Sequence, residues 1–145
     1  MSKKGIAAER KQEDLIVRLK EAQREHGYVP EGVMAELAES MGIPLNDVYG
    51  VASFYSFLST KPLGRNVIRV CRSMPCYLKH YEVIVGSISK ELGIEPGETT
   101  ADGRFSLQLT NCIGLCDMAP AMLINDDAYG DLTPQKIARI LKSYK

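Results

Sequence analysis

Residues 66–76 read NVIRVCRSMPC, an apolar run that leads directly into a cysteine, with a second cysteine five positions later. The β-branched residues of this run predict a strand over residues 66–70 that ends at Cys71. From Cys76 to residue 92 the apolar residues recur at helical spacing, and Gly93 is placed to end that helix. The stretch therefore predicts a strand–loop–helix unit whose loop begins and ends with a cysteine.

A second cysteine pair follows the same plan. Phe105, Leu107 and Leu109 alternate with polar residues, which predicts a half-buried strand just before Cys112 and Cys116. The surrounding sequence predicts turns at 97–103 and 126–130, a strand at 121–124 and a last helix that begins at Thr133-Pro134. The resulting order, β-α-β-β-α, fits a thioredoxin-like α/β unit.

The first 62 residues carry a different pattern. Helical spacing of apolar residues predicts one helix over residues 8–26 and two more that begin at Pro30 and Pro44. Short joints of glycine and proline between such helices predict a small bundle. We therefore expect two domains, a helical bundle of three or four helices over residues 1–62 and a thioredoxin-like domain over residues 63–145, in an α+β or α/β fold class.

Charge and hydropathy exclude several classes of function. The 145 residues carry 18 basic and 18 acidic side chains, so the chain lacks the basic excess that nucleic acid or an anionic membrane surface requires. No apolar run approaches the roughly 18 residues needed to span a bilayer, and the N-terminus has no signal-peptide pattern. We therefore expect a cytoplasmic protein with no direct membrane insertion. In that reducing compartment, cysteines serve as metal ligands or redox groups more often than as disulfides.

The spacings C-x4-C, Cys71 to Cys76, and C-x3-C, Cys112 to Cys116, place two thiol pairs on loops that leave predicted strands. Four thiolates suit an iron–sulfur cluster or zinc. Structural zinc sites favour two tight knuckles, and the wider C-x4-C loop favours an iron–sulfur cluster. Ser73 and Gly114 are expected to leave backbone N–H groups free to face the sulfur atoms. Structural zinc, two disulfides and a redox-active dithiol stay open as alternatives at this point.

Several segments besides the cysteine loops carry a recognisable pattern. They lie at 26–30 (HGYVP), 35–38 (AELA), 42–44 (GIP), 48–55 (VYGVASFY), 97–105 (GETTADGRF), 111–116 (NCIGLC), 119–120 (AP) and 131–134 (DLTP). With these segments, the chain resembles the thioredoxin-like 2Fe–2S subunit of NADH dehydrogenase (the E-type subunit of bacterial respiratory complex I). It is equally similar to the HydC-type gamma subunit of NAD(P)-linked iron-only hydrogenases and to relatives in formate dehydrogenases.

The resemblance implies that all four cysteines ligate one 2Fe–2S cluster. These ligands are Cys71, Cys76, Cys112 and Cys116. The implied fold is an N-terminal helical bundle followed by a thioredoxin-like 2Fe–2S ferredoxin domain. One departure concerns the first cysteine loop, which is commonly small and Gly- or Ala-containing in the family but reads RSMP at residues 72–75 here.

The expected function is that of an electron-transfer subunit with no catalytic residues and no substrate site of its own. The sequence has neither a Gly-x-Gly-x-x-Gly segment nor a Walker loop, so FMN and NAD(P) are expected on a partner flavoprotein subunit. The resemblance further implies that this flavoprotein connects the chain to a catalytic hydrogenase, a formate dehydrogenase or a quinone-reducing module.

The sequence leaves alternatives open for the parent complex and for the class of function. The compact chain favours a soluble, including an electron-bifurcating, hydrogenase or NADH:acceptor oxidoreductase over a respiratory NADH:quinone oxidoreductase. A zinc-stabilised interaction module and a free ferredoxin-like shuttle are the alternatives from other classes. A homodimer of the isolated chain is left open.

Overall fold

A computed structural model describes the backbone of residues 3–144 and the side chains of residues 14–144. The chain divides into two compact units, Met1–Pro62 and Leu63–Lys145. Among the described residues, no helix is both long enough and apolar enough to cross a membrane.

The described residues of the first unit form three helices, α1 (Lys3–His26), α2 (Glu31–Met41) and α3 (Leu45–Phe54). Gly27 and Gly42 end the first two in the left-handed region, with φ of +78° and +62°, a conformation that costs a glycine nothing. The three helices and the segment after α3 bury one shared apolar cluster of Leu15, Leu19, Val29, Met34, Ala38, Val48, Ala52 and Leu58. The helices lie where the sequence predicts them, except that α1 begins five residues earlier than expected.

The second unit is built on a four-stranded mixed sheet. Its strands are β1 (Asn66–Cys71), β2 (Phe105–Thr110), β3 (Met122–Ile124) and β4 (Asp127–Tyr129), in the order β2-β1-β3-β4. β1 runs parallel to β2, whereas β3 is antiparallel to both β1 and β4. Because parallel strands end on the same side of a sheet, the loops that follow β1 and β2 leave it together.

The helices of this unit are α4 (Met74–Leu78), α5 (Tyr81–Leu92) and α6 (Pro134–Ser143). Thr133 caps α6, since its hydroxyl accepts the Lys136 N–H at 3.2 Å, as the Thr-Pro pair predicts. α5 and α6 pack against one face of the sheet around a core of Ile68, Val70, Ile84, Ile88, Ile94, Phe105, Leu107, Met122, Ile124, Leu132, Ile137 and Leu141. This core fixes the ends of β1 and β2, from which both cysteine loops leave.

Three local predictions are wrong. The helix expected from Cys76 to residue 92 is two helices, because His80 adopts a left-handed backbone (φ +58°) that no continuous helix allows. The turn expected at 126–130 is shorter and lies one residue earlier, because the chain reverses at residues 125–126 and residues 127–129 form β4. Ser106 is buried rather than exposed, because its hydroxyl accepts the Gly64 N–H at 2.7 Å and shares a hydrogen bond with Thr99.

Candidate metal centre

The four cysteines lie at one end of the sheet. Cys71 is the last residue of β1, and its register partner on the parallel strand β2 is Thr110. Cys112 follows β2 by two residues, and Cys116 opens a short 3₁₀ turn, Cys116–Met118. Cys76 lies in α4, directly after the β1 loop. The parallel pairing of β1 and β2 thus brings together two cysteine pairs that are separated by 35 intervening residues.

The two pairs differ in burial. Cys71 and Cys76 are each 2% exposed and form a small buried cluster with Ala121, against which Tyr81 and Ile113 pack. Cys112 and Cys116 are exposed. We call Cys71 and Cys76 the inner pair, and Cys112 and Cys116 the outer pair.

The outer pair is held closely. The Sγ atoms of Cys112 and Cys116 lie 3.3 Å apart. The backbone N–H of Gly114 donates to Cys112 Sγ at 3.4 Å, as the sequence predicts, and Gly114 reaches this position with a φ of +81°. This N–H and then the hydrogen bond from Cys116 lower the pKa of the Cys112 thiol. The same shared hydrogen bond is the main cause that raises the pKa of Cys116, so Cys112 is the first of the two to ionise.

The inner pair lies in a drier environment. Burial raises the pKa of the Cys76 thiol to about 11, and a hydrogen bond with Cys71 adds to the effect. The backbone N–H of Ala121 acts in the opposite direction by donating to the Cys76 sulfur. A thiolate at Cys76 is therefore costly unless a cation also neutralises it, as a bound metal does.

The arrangement places four thiol sulfurs in two pairs, each with one sulfur that accepts a backbone N–H. Within the described part of the chain, no three His, Cys, Asp or Glu side chains converge closely enough to hold a single metal ion. A core of two irons takes two thiolates at each iron. The donor chemistry and the pairing of the residues fit such a core.

Sequence reasoning missed two contributors to this site. Ala121 gives no chemical signal in the sequence, and only the antiparallel pairing of β3 with β1 brings its N–H to Cys76. The exposed apolar side chains of α4 were also not predicted. Met74, Tyr77 and Leu78 are 67%, 55% and 68% exposed, although they flank a buried cysteine. An apolar surface of this kind beside a site is typical of a contact region for another protein.

Comparison with known proteins identifies the family. The family model of the thioredoxin-like [2Fe-2S] ferredoxins matches residues 3–145. The chain belongs to this family. The resemblance drawn from the sequence is therefore confirmed, as are the thioredoxin-like ferredoxin fold and a 2Fe–2S cluster as the cofactor. Membership also confirms that this is an electron-transfer protein of the oxidoreductase class.

Relatives of this ferredoxin share most of its length. It is 50% identical to the E-type subunit of NADH-quinone oxidoreductase from Pseudomonas aeruginosa, over 89% of this chain and 78% of the relative. It is 45% identical to the same subunit of Escherichia coli (strain K12), over 90% and 78%. Identity to the HndA subunit of the NADP-reducing hydrogenase of Solidesulfovibrio fructosivorans is 37%, over 92% and 78%.

A solved structure agrees with these sequence matches. The fold superposes on a chain of an NAD+-reducing [NiFe]-hydrogenase in the air-oxidised state, with a TM-score of 0.72 and 26% identity. The superposition covers 87% of the present chain but only 22% of the hydrogenase chain. The ferredoxin thus corresponds to about a fifth of that larger chain.

Proposed function

We propose that Cys71, Cys76, Cys112 and Cys116 ligate the 2Fe–2S cluster, with the inner pair on one iron and the outer pair on the other. We further propose that the chain exchanges single electrons with the FMN of an NAD(P)H-binding flavoprotein partner. The observation that carries this proposal is the meeting of one buried and one exposed cysteine pair at the end of β1 and β2. Such a cluster takes up and releases one electron at a time.

The protein's own residues prepare the site in two ways. The Gly114 and Ala121 N–H groups donate to sulfur, and such donors stabilise the negative charge of thiolate ligands and raise the reduction potential of a cluster. Tyr81 and Ile113 exclude water from the inner pair. The outer pair stays open to solvent, so an electron passes most directly between this side and a partner.

The exposed side chains of α4 support a protein partner at the same place. Met74, Tyr77 and Leu78 adjoin Cys76 in sequence, and their apolar surface beside the site fits contact with a protein rather than a small charged carrier. Because electron tunnelling falls steeply with distance, the partner's flavin must approach this end of the sheet. We propose that α4 forms part of the contact with the flavoprotein.

For the parent complex, the relatives favour NADH:quinone oxidoreductase. The two relatives from NADH-quinone oxidoreductases, at 50% and 45% identity, are more similar than the hydrogenase relative, at 37%. The sequence alone favoured a hydrogenase, including an electron-bifurcating one. We keep that as the second candidate, since the hydrogenase relative matches over the same share of its length. We also propose that the protein is cytoplasmic and that residues 1–62 form a separate helical bundle.

Purification of the chain from its native host, with any bound flavoprotein, tests this function. NADH should bleach the cluster absorption of the flavoprotein complex but not that of the isolated chain. Leu78→Glu should slow this reduction without loss of iron, while Val17→Glu, at another exposed apolar residue (54% exposed), should not. Equal reduction of the isolated chain by NADH, or no reduction of the complex, would contradict the proposal.

A further inference from the structure

The loop that carries the outer pair is fastened to the segment that follows β4. The Asp131 N–H donates to the Met118 carbonyl at 2.6 Å, and the Leu132 N–H donates to the Pro120 carbonyl at 3.1 Å. Within the loop, the Met118 N–H donates to the Leu115 carbonyl at 3.0 Å and closes the 3₁₀ turn. Both ends of the residue 118–120 stretch are thus tied to residues 131–132.

Gly130 lies against this turn too closely for any side chain. A Cβ atom on Gly130 would lie 2.5 Å from Met118 Cβ, 2.9 Å from its Cε and 3.0 Å from its carbonyl oxygen. Gly130 is not one of the glycines with a positive φ. Glycine is therefore required at residue 130 because of the close approach to Met118, and not because of a positive φ.

The two sides of this contact differ in how firmly they are held. Tyr129, just before Gly130, pairs with Met122 in the sheet, and Leu132, shortly after it, is 4% exposed in the core. The 3₁₀ turn is exposed at Cys116 and Met118. A side chain at residue 130 would therefore displace the turn, because the sheet and core resist movement more than an exposed loop does.

We propose that Gly130 is a positioning residue for the cluster. Because Gly130 has no side chain, residues 130–132 can pack closely against Met118 and hydrogen-bond to residues 118–120. These contacts hold the 3₁₀ turn that begins at Cys116 in place and thereby keep the Cys116 sulfur beside Cys112. The inference rests on the proposed ligation of the cluster by Cys116. An added methyl group at residue 130 should push the backbone of Met118 outward and shift Cys116 with it.

Gly130→Ala tests this in combination with two changes at Met118. Met118→Gly removes the Cβ that the new methyl group would meet at 2.5 Å, whereas Met118→Ala removes only the outer atoms and leaves that Cβ in place. Gly86→Ala in α5, where an added Cβ meets nothing within 4 Å, is the matched control. Each variant is reconstituted anaerobically, and we would measure iron and sulfide content, the half-time of cluster loss to a chelator and the EPR spectrum of the reduced protein.

Gly130→Ala should shorten the half-time of cluster loss several-fold and alter the EPR line shape, while the thermal unfolding of the apoprotein changes much less. Gly130→Ala/Met118→Gly should restore most of both readouts, because only the 3.0 Å approach to the carbonyl oxygen of residue 118 remains. Gly130→Ala/Met118→Ala keeps the 2.5 Å contact with Cβ and should not restore them. If the single Gly130→Ala variant fails to fold, the difference between the two double variants decides.

Wild-type half-time and spectrum in Gly130→Ala, or equal rescue by both changes at Met118, would overturn the inference on Gly130. A wild-type chain that binds no cluster would instead overturn the proposed function. The two failures are thus distinguishable.

Discussion

The sulfur atoms of Cys112 and Cys116 lie 3.3 Å apart on an exposed loop, and a backbone N–H from Gly114 already donates to Cys112. The loop therefore presents two thiols close together, and the pKa of one of them, Cys112, is lowered. Cys71 and Cys76, at the same end of the sheet, are buried. This asymmetry between an inner and an outer pair underlies the first predictions.

Removal of one outer ligand should abolish stable cluster binding. Cys112→Ala deletes the sulfur of the outer pair that ionises first, so iron content after anaerobic reconstitution should fall to a small fraction of the wild-type value. The exposed neighbour Asn111→Ala is the matched control and should keep its iron. Wild-type iron and sulfide content in Cys112→Ala would contradict the ligand assignment.

The order of alkylation in the apoprotein should follow burial and ionisation. Iodoacetamide reacts with thiolates, so Cys112, exposed and with a lowered pKa, should be modified first and Cys116 second. Cys76, buried and with a pKa raised to about 11, should react slowest as the pH rises from 7 to 9. Mass spectrometry of timed samples gives the order. In urea we expect the four cysteines to react at comparable rates. Comparable rates in the folded protein would contradict the difference in burial between the inner and the outer pair.

These features could be predicted from the sequence only in part. The spacing of the cysteines and the strands that precede them indicated both loops, because strand ends and cysteine positions are local signals. The break at His80 could not be foreseen, since a left-handed histidine leaves no mark on the apolar pattern of residues 76–92. The role of Gly130 was equally hidden, because it depends on a contact with Met118 that only the tertiary structure creates.

The break between α4 and α5 yields a prediction on stability. His80 holds a left-handed conformation that costs a residue other than glycine about 1–2 kcal/mol. A glycine at this position avoids that cost, but it loses more backbone entropy on folding, which offsets part of the gain. His80→Gly should therefore raise the free energy of unfolding by up to about 1 kcal/mol. His80→Val should lower it, since a β-branched residue tolerates this backbone poorly. Urea denaturation of the apoproteins measures both changes, and the opposite order would refute the explanation.

The C-terminal helix should show a pH-dependent attachment to β4. The Tyr144 hydroxyl donates to Asp127 Oδ2 at 2.6 Å and lies 2.8 Å from the Tyr129 hydroxyl. Loss of solvation and these hydrogen bonds raise the pKa of Tyr144. Because the pKa of Tyr144 is higher in the folded than in the unfolded protein, the protonated hydroxyl stabilises the fold fully at pH values below the ordinary tyrosine pKa of about 10. This stabilisation is lost as the pH rises above that value.

Tyr144→Phe should consequently destabilise the apoprotein by about 1 kcal/mol at neutral pH, and the difference from the wild type should shrink above about pH 10. Tyr77→Phe, at an exposed tyrosine of α4, serves as the control and should change the melting temperature little at any pH. A difference that is constant or grows from pH 8 to 11 would show that the hydrogen bonds of Tyr144 are not its cause.

The most direct test of the central claim is the metal content and spectrum of the anaerobically purified protein. We expect about two irons and two sulfides per chain, a brown colour that bleaches with dithionite, and an EPR signal in the reduced state that disappears in Cys112→Ala. A colourless protein with stoichiometric zinc and no sulfide would contradict the account.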